Sequence, residues 1–194
     1  MTDSEGFGGL AAHVVRHLGP AKRRWTPPDD RGYGVTLHYP EKQPLPIVSA
    51  VTAGLHLHEV NAAEPVELIC TLQTGQEAEA VQLVNVAAQY VLGVGGEEPP
   101  PAGQDRMVGG GDTPLLPGTA IHGLLFGTHP VFREASPFVG PDGGIALRFL
   151  TVLPLTGADV RYLVAGDQGA GRQARLWERW RAGKVEFWDI HRTD

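Results

Sequence analysis

Ile145-Ala-Leu-Arg-Phe-Leu-Thr-Val-Leu-Pro-Leu-Thr156 is the most apolar run of strand-forming residues in the chain, and a helical pattern begins immediately after it. Leu147, Phe149, Thr151 and Leu153 fall on one face of an extended segment, and Ala146, Leu150 and Val152 fall on the other. A strand apolar on both faces must be covered on both, which places it at the centre of its sheet. Arg148 is the exception to the pattern. Pro154 removes a backbone donor and is expected to end the ladder, after which Thr156 and Asp159 stand at capping-box spacing.

The bulk properties set the frame around this strand. A chain of 194 residues suits a single domain, 1–194, with enough length to bury a real core. Apolar residues at 42% against charged residues at 20% describe a folded chain. The net charge of −6 disfavours nucleic acid as a partner, since a phosphate backbone wants a basic surface. Cys70 is the single cysteine, which excludes an internal disulfide and a thiolate zinc cluster and fits a reducing compartment. The opening Met-Thr-Asp-Ser-Glu-Gly lacks the regions of a signal peptide, and no run reaches the roughly 18 apolar residues of a membrane span, so the expectation is a cytoplasmic protein without a membrane partner.

Upstream, Thr2 and Glu5 have capping-box spacing, and Phe7, Leu10, Ala11, Val14 and Leu18 recur at helical period until Gly19-Pro20. Gly8 and Gly9 weaken the first turns of that helix. Lys22-Arg23-Arg24-Trp25 reads as a basic surface turn, with anion binding as the other reading. Val35, Leu37 and Tyr39 alternate with polar residues, as in a strand with one wet face. Ile47 to Leu55 is a buried strand with a turn at Gly54. In the strand from Val66 to Leu72, Val66, Leu68, Cys70 and Leu72 share a face, so Cys70 reads as an inert core thiol. Thr74 and Glu77 repeat the capping-box signature before a helix from about Gln76 to Leu92, apolar at Ala80, Val81, Val84, Ala87, Ala88 and Val91.

Residues 93–113 are rich in Gly, Pro and acid and read as a flexible linker or binding loop; neither a phosphate-binding nor a dinucleotide-binding glycine pattern is present. A strand resumes over Ala120 to Phe126, and an irregular stretch with Phe132, Phe138 and Val139 leads to the turn Pro141-Asp-Gly-Gly144. Beyond the central strand, Val160, Leu163 and Val164 mark a short helix, and Leu176, Trp177 and Trp180 the inner side of another. The outer side of that last helix carries Arg172, Arg175, Arg179, Arg181 and Lys184 against one acid, Glu178. It is either a solvated face or a docking patch for an acidic partner. Val185 to Ile190 has the composition of a closing strand. The elements together describe an α/β (α+β) fold with a mixed, mainly antiparallel central sheet flanked by helices.

Few residues have the spacing of a reaction centre. His13 and His17 lie four apart on the first helix and could share a metal ion, but no third ligand is near in sequence. His56 and His58 project to one side of an extended segment, with Glu59 beside them. A small metal-dependent hydrolase built on His56, His58 and Glu59, with His122 or His129 joining in space, is therefore the enzymatic alternative, although the spacing His-Glu-x-x-His is absent.

The order of several short motifs resembles the suppressor of fused (SUFU) domain family. Val51-Thr52-Ala53-Gly54-Leu55 is similar to the family's turn after an apolar strand, Pro65-Val66-Glu67-Leu68 to its Glu-Leu strand, and Ala88-Gln89-Tyr90-Val91 to the end of its long helix. Leu124 to Pro130, Arg148 to Asp159, and Trp188-Asp189-Ile190-His191-Arg192 resemble three further segments in the same order. The resemblance implies a protein-binding domain, not an enzyme, with no cofactor and no metal, that grips another protein or an extended peptide. A bacterial single-domain member resembles an immunity protein that neutralises a toxin. By position, Tyr90 and Asp105 resemble partner-contacting residues, and Arg172, Arg175 and Arg179 join them as candidates from the basic helix. Thr128 stands where the animal protein has an acid.

Overall fold

The computed structural model describes residues 7–27, 31–40, 46–94, 102–165 and 171–192. In chain order the elements are α1 (Leu10–Leu18), β1 (Ala21–Trp25), β2 (Gly34–His38), β3 (Ile47–Ala53), β4 (Val66–Gln73), α2 (Glu77–Val91), β5 (Met107–Gly109), β6 (Ile121–Gly127), β7 (Phe138–Val139), β8 (Ile145–Thr156), α3 (Gly157–Ala165) and α4 (Arg172–Gly183). The strands form one sheet in the order β1-β2-β3-β4-β8-β6-β5, with β7 also paired to β8. Only β4 and β8 run parallel, from Val66 opposite Arg148 to Ile69 opposite Thr151; the remaining pairs are antiparallel. The mixed, mainly antiparallel sheet and the central place of Ile145–Thr156 are therefore as the sequence predicts. No helix among the described residues is long and apolar enough to cross a membrane.

Burial on both sides of β4 and β8 follows from their alternation. Leu68, Cys70, Leu72, Leu150 and Val152 pack beneath α2, against Ala80, Leu83, Val84, Ala87 and Val91. On the opposite face, Leu147 and Phe149 join Ile47, Val51 and Ile69 beneath α1 and Phe132. Farther along that face, Leu153 and Leu155 meet Leu163, Leu176 and Trp180 from α3 and α4. One strand thus contributes to three apolar clusters, and truncating a fully buried side chain such as Phe126 or Trp180 to alanine is expected to cost about 3–5 kcal/mol.

Several sequence expectations are corrected. Pro154 does not end the ladder: β8 continues to Thr156 and pairs with β6 from Thr151 onward, and because the pairing of β4 with β8 ends at Ile69 opposite Thr151, that side requires no donor from Pro154. Lys22-Arg23-Arg24-Trp25 is an edge strand, where consecutive cations deter further pairing. The supposed wet face of β2 is covered, since His38 is buried and donates from Nδ1 to the Gly19 carbonyl at 2.8 Å. Residues 93–113 contain β5, so part of that segment is sheet; Gly95 to Pro101 lie outside the described residues. Thr2 and Glu5 lie outside them too.

The capping-box expectations divide. At α3 the reciprocal bonds form, with Thr156 N–H donating to Asp159 Oδ2 at 3.3 Å and Asp159 N–H to Thr156 Oγ1 at 3.2 Å. At α2 the Glu77 carboxylate instead receives the Gly75 N–H. Val185 to Ile190 forms turns, not a strand. The Trp188 carbonyl accepts from Gln73 N–H at 2.9 Å at the end of β4, past the Val66–Ile69 stretch that pairs with β8.

Candidate functional site

The β5–β6 edge of the sheet gathers most of the residues singled out for partner contact. Asp105 sits just before β5 with a left-handed backbone, φ 63°, a conformation that Asp tolerates better than most residues. Its own N–H donates to the Phe126 carbonyl at 2.8 Å, which fixes it beside β6. Its carboxylate accepts from the backbone N–H groups of Gly171 at 3.0 Å and Gln173 at 2.7 Å, at the start of α4. Those are donors that a helix leaves unsatisfied at its N-terminus, and Gly171 has no side chain with which to cap them.

A second clamp joins α4 to the end of β6. The Gln173 side chain donates from Nε2 to the Thr128 carbonyl at 2.7 Å and accepts from the Thr128 N–H at 3.0 Å, as a neighbouring strand would. Gly127 leaves room for it: a Cβ there would lie 2.7 Å from the Gln173 amide carbon. Gln104 Nε2 donates to Thr128 Oγ1 at 3.1 Å. Gln173 carries no motif, so its role is visible only once α4 is packed against β6. Tyr90, half-buried at the end of α2, lies on the other side of the same edge, its ring 6.5 Å from that of Phe126.

Three arginines of α4, Arg172, Arg175 and Arg179, are less solvated than a surface helix would make them. Arg172 donates to the Asp105 carbonyl at 3.1 Å. Arg179 donates to Asp159 Oδ1 at 3.1 Å and lies over the Tyr162 ring. Between them in sequence, Nε and Nη2 of Arg175 are buried without a hydrogen-bond partner among the described residues. Arg181 and Lys184 are exposed. The structure thus brings Asp105 and Arg172 together near the β5–β6 edge, and places Arg179 farther along at the α3–α4 contact.

The histidines do not converge. His13 donates from Nε2 to the Ala135 carbonyl at 2.8 Å, and its ring lies 4.6 Å from that of His17. His56 lies in a single turn of tight helix, Leu55–Leu57, not in an extended segment, so it does not share a face with His58. Its acidic partner is Glu67 of β4, not Glu59. Glu67 is buried and also accepts from the Thr52 hydroxyl and, at 2.8 Å, from the Gly54 N–H. A lone acid inside Val-Glu-Leu-Ile-Cys-Thr-Leu needs such partners once both faces are covered. His122 donates to the Gly111 carbonyl at 3.0 Å. His129 is buried; its Nδ1 accepts from the Val131 and Phe132 N–H groups, so Nε2 carries the proton and donates to Thr71 Oγ1 at 2.8 Å. Burial pushes its pKa down to about 3. Among the described residues no group of three or more His, Cys, Asp or Glu could hold a metal ion, which overturns the hydrolase alternative on His56, His58 and Glu59.

A family profile described as "Suppressor of fused protein (SUFU)" matches residues 31–193. No curated protein matches the chain. Among solved structures, "the Sufu-Fu complex crystal structure" contains a chain that is 13% identical, with a TM-score of 0.53 and 98% of each chain covered. Suppressor of fused from Drosophila is 11% identical with a TM-score of 0.54; 94% of this chain aligns with 57% of that one. At these identities the likeness is one of fold.

Proposed function

The chain belongs to the suppressor of fused family, and from that premise we propose that it is a non-enzymatic protein-binding domain whose partner docks at the β5–β6 edge. The family match over residues 31–193 carries this reading. The relative solved as a Sufu–Fu complex supports it, as a chain of the same fold named in a complex. The edge supplies a short outer strand, β5, for main-chain pairing, with Tyr90 on one side and Asp105, Arg172 and Arg175 on the other for selectivity. Arg179 extends the basic surface along α4. Immunity is the sharper form of the reading: in a bacterial cytoplasm the domain would neutralise a toxin through a tight complex with complementary charge.

The test begins by capturing partners from the native host with the tagged chain, then measuring binding of each purified candidate directly. A partner whose affinity falls at least tenfold on Tyr90→Ala or Arg175→Glu supports the docking edge. Unchanged affinity for both variants removes the edge from the proposal. If the partner is a toxin and co-expression of this chain does not restore growth, the immunity reading fails while protein binding stands.

A further inference from the structure

Helix α1 is fastened mainly along its C-terminal half. Leu18 is buried, the Gly19 carbonyl accepts from His38, and His13 is tied to Ala135. At its N-terminal end, Gly9 has a left-handed backbone and no side chain caps the helix, while Leu10 and Val14 are half-buried. Between this end of the helix and β2, β3 and β4 lies a cavity of about 410 Å³, with apolar walls from Leu10, Val14, Val51 and Phe149. Phe7 and His56, ring centroids 4.3 Å apart, also line it. Small-molecule sites occupy roughly 300–1,000 Å³ and combine apolar walls with a few polar groups.

The polar groups of the lining are largely committed to one another. Thr36 Oγ1 meets His38 Nε2 at 2.9 Å, and His38 Nδ1 donates to Gly19. Thr52 donates to Glu67, as does the Gly54 N–H. Glu67 therefore acts as an acceptor toward His56, and His56 Nδ1 carries the hydrogen of that contact. His56 Nε2 is the one ring nitrogen of the lining without a hydrogen-bond partner among the described residues.

We propose that this cavity binds a small apolar molecule bearing one hydroxyl group, an alcohol or a phenol, with that hydroxyl on His56 Nε2. A hydroxyl both donates and accepts, so it satisfies Nε2 whether the ring is neutral or protonated. An ammonium, which only donates, or a carboxylate, which only accepts, suits only one of those states. Glu67 fixes the ring through Nδ1, which pre-organises the remaining nitrogen for the ligand. The site lies toward the β1–β2 end of the sheet, so the proposal does not rest on docking at the β5–β6 edge.

The experiment titrates the whole chain with 2-naphthol and, separately, naphthalene, followed by calorimetry and by the 15N resonances of His56. We expect one saturable site, about tenfold tighter for 2-naphthol, as one added hydrogen bond implies, and a shift of Nε2 with 2-naphthol alone. Val14→Trp, which puts an indole into the cavity from α1, should abolish binding of both probes. His56→Phe should erase the preference for the hydroxyl. Absence of saturable binding, equal affinity for the two probes, or binding undiminished by Val14→Trp would overturn the proposal. The wild-type resonances decide the role of His56 even if His56→Phe fails to fold.

Discussion

Asp105 caps Gln173 from 68 residues away in sequence: the carboxylate before β5 takes the backbone N–H near the start of α4 at 2.7 Å. Because it also takes the Gly171 N–H, it does for α4 what a local Ser or Asp does for most helices. Asp105→Ala should therefore destabilise the fold by about 0.5–2 kcal/mol, the range for losing a cap. Hydrogen exchange should quicken first at the Gly171 and Gln173 amides. Exchange that stays unchanged there would show that the contact does not hold the helix.

Asp159 joins three elements at once. Besides its capping box with Thr156, it accepts from Trp180 Nε1 at 3.0 Å, from Arg179, and from the buried Arg192 at 3.4 Å. Asp159→Ala leaves the buried Arg192 without its carboxylate and should cost about 3–5 kcal/mol in chemical denaturation. Asp159→Asn keeps the acceptor oxygen without the charge and should fall between that variant and the native chain. A loss under about 1 kcal/mol for alanine would mean the ion pairs contribute little.

His129 makes stability depend on acidity. Folded, its pKa is about 3; unfolded, it returns to about 6.5. Its contribution is therefore fully present above pH 6.5. As pH falls from there toward 3, the unfolded chain takes up a proton that the folded chain refuses, and stability declines by about 1.4 kcal/mol per pH unit from this group. Denaturation midpoints between pH 7 and pH 4 should show the slope. His129→Asn should flatten it, while lowering stability at pH 7 through disturbed packing.

Cys70 is buried among α2 and the sheet, and burial pushes its thiol up to about 12. The folded chain should resist iodoacetamide at pH 8, and the same chain in denaturant should be alkylated once. Rapid labelling of the native protein would contradict the packing of β4 beneath α2.

The sequence by itself determined the central strand, the buried face of the long helix and the place of Cys70, because each rests on short-range periodicity that the backbone cannot evade. It also determined the Thr156–Asp159 box, whose partners are three residues apart. Tertiary packing decided the rest. Whether a strand is wet depends on what crosses it, and α1 covers the side of β2 that alternation alone leaves polar. Whether Val185 to Ile190 pairs depends on how the chain returns to the sheet, and it comes back as turns that meet β4 at Gln73 through the Trp188 carbonyl. Glu67 with His56, and Asp105 with α4, are buried or half-buried polar groups whose partners lie 11 and more than 60 residues off. Hydrogen bonding must satisfy such groups once water is excluded, but it does not prescribe from what distance along the chain the partner comes.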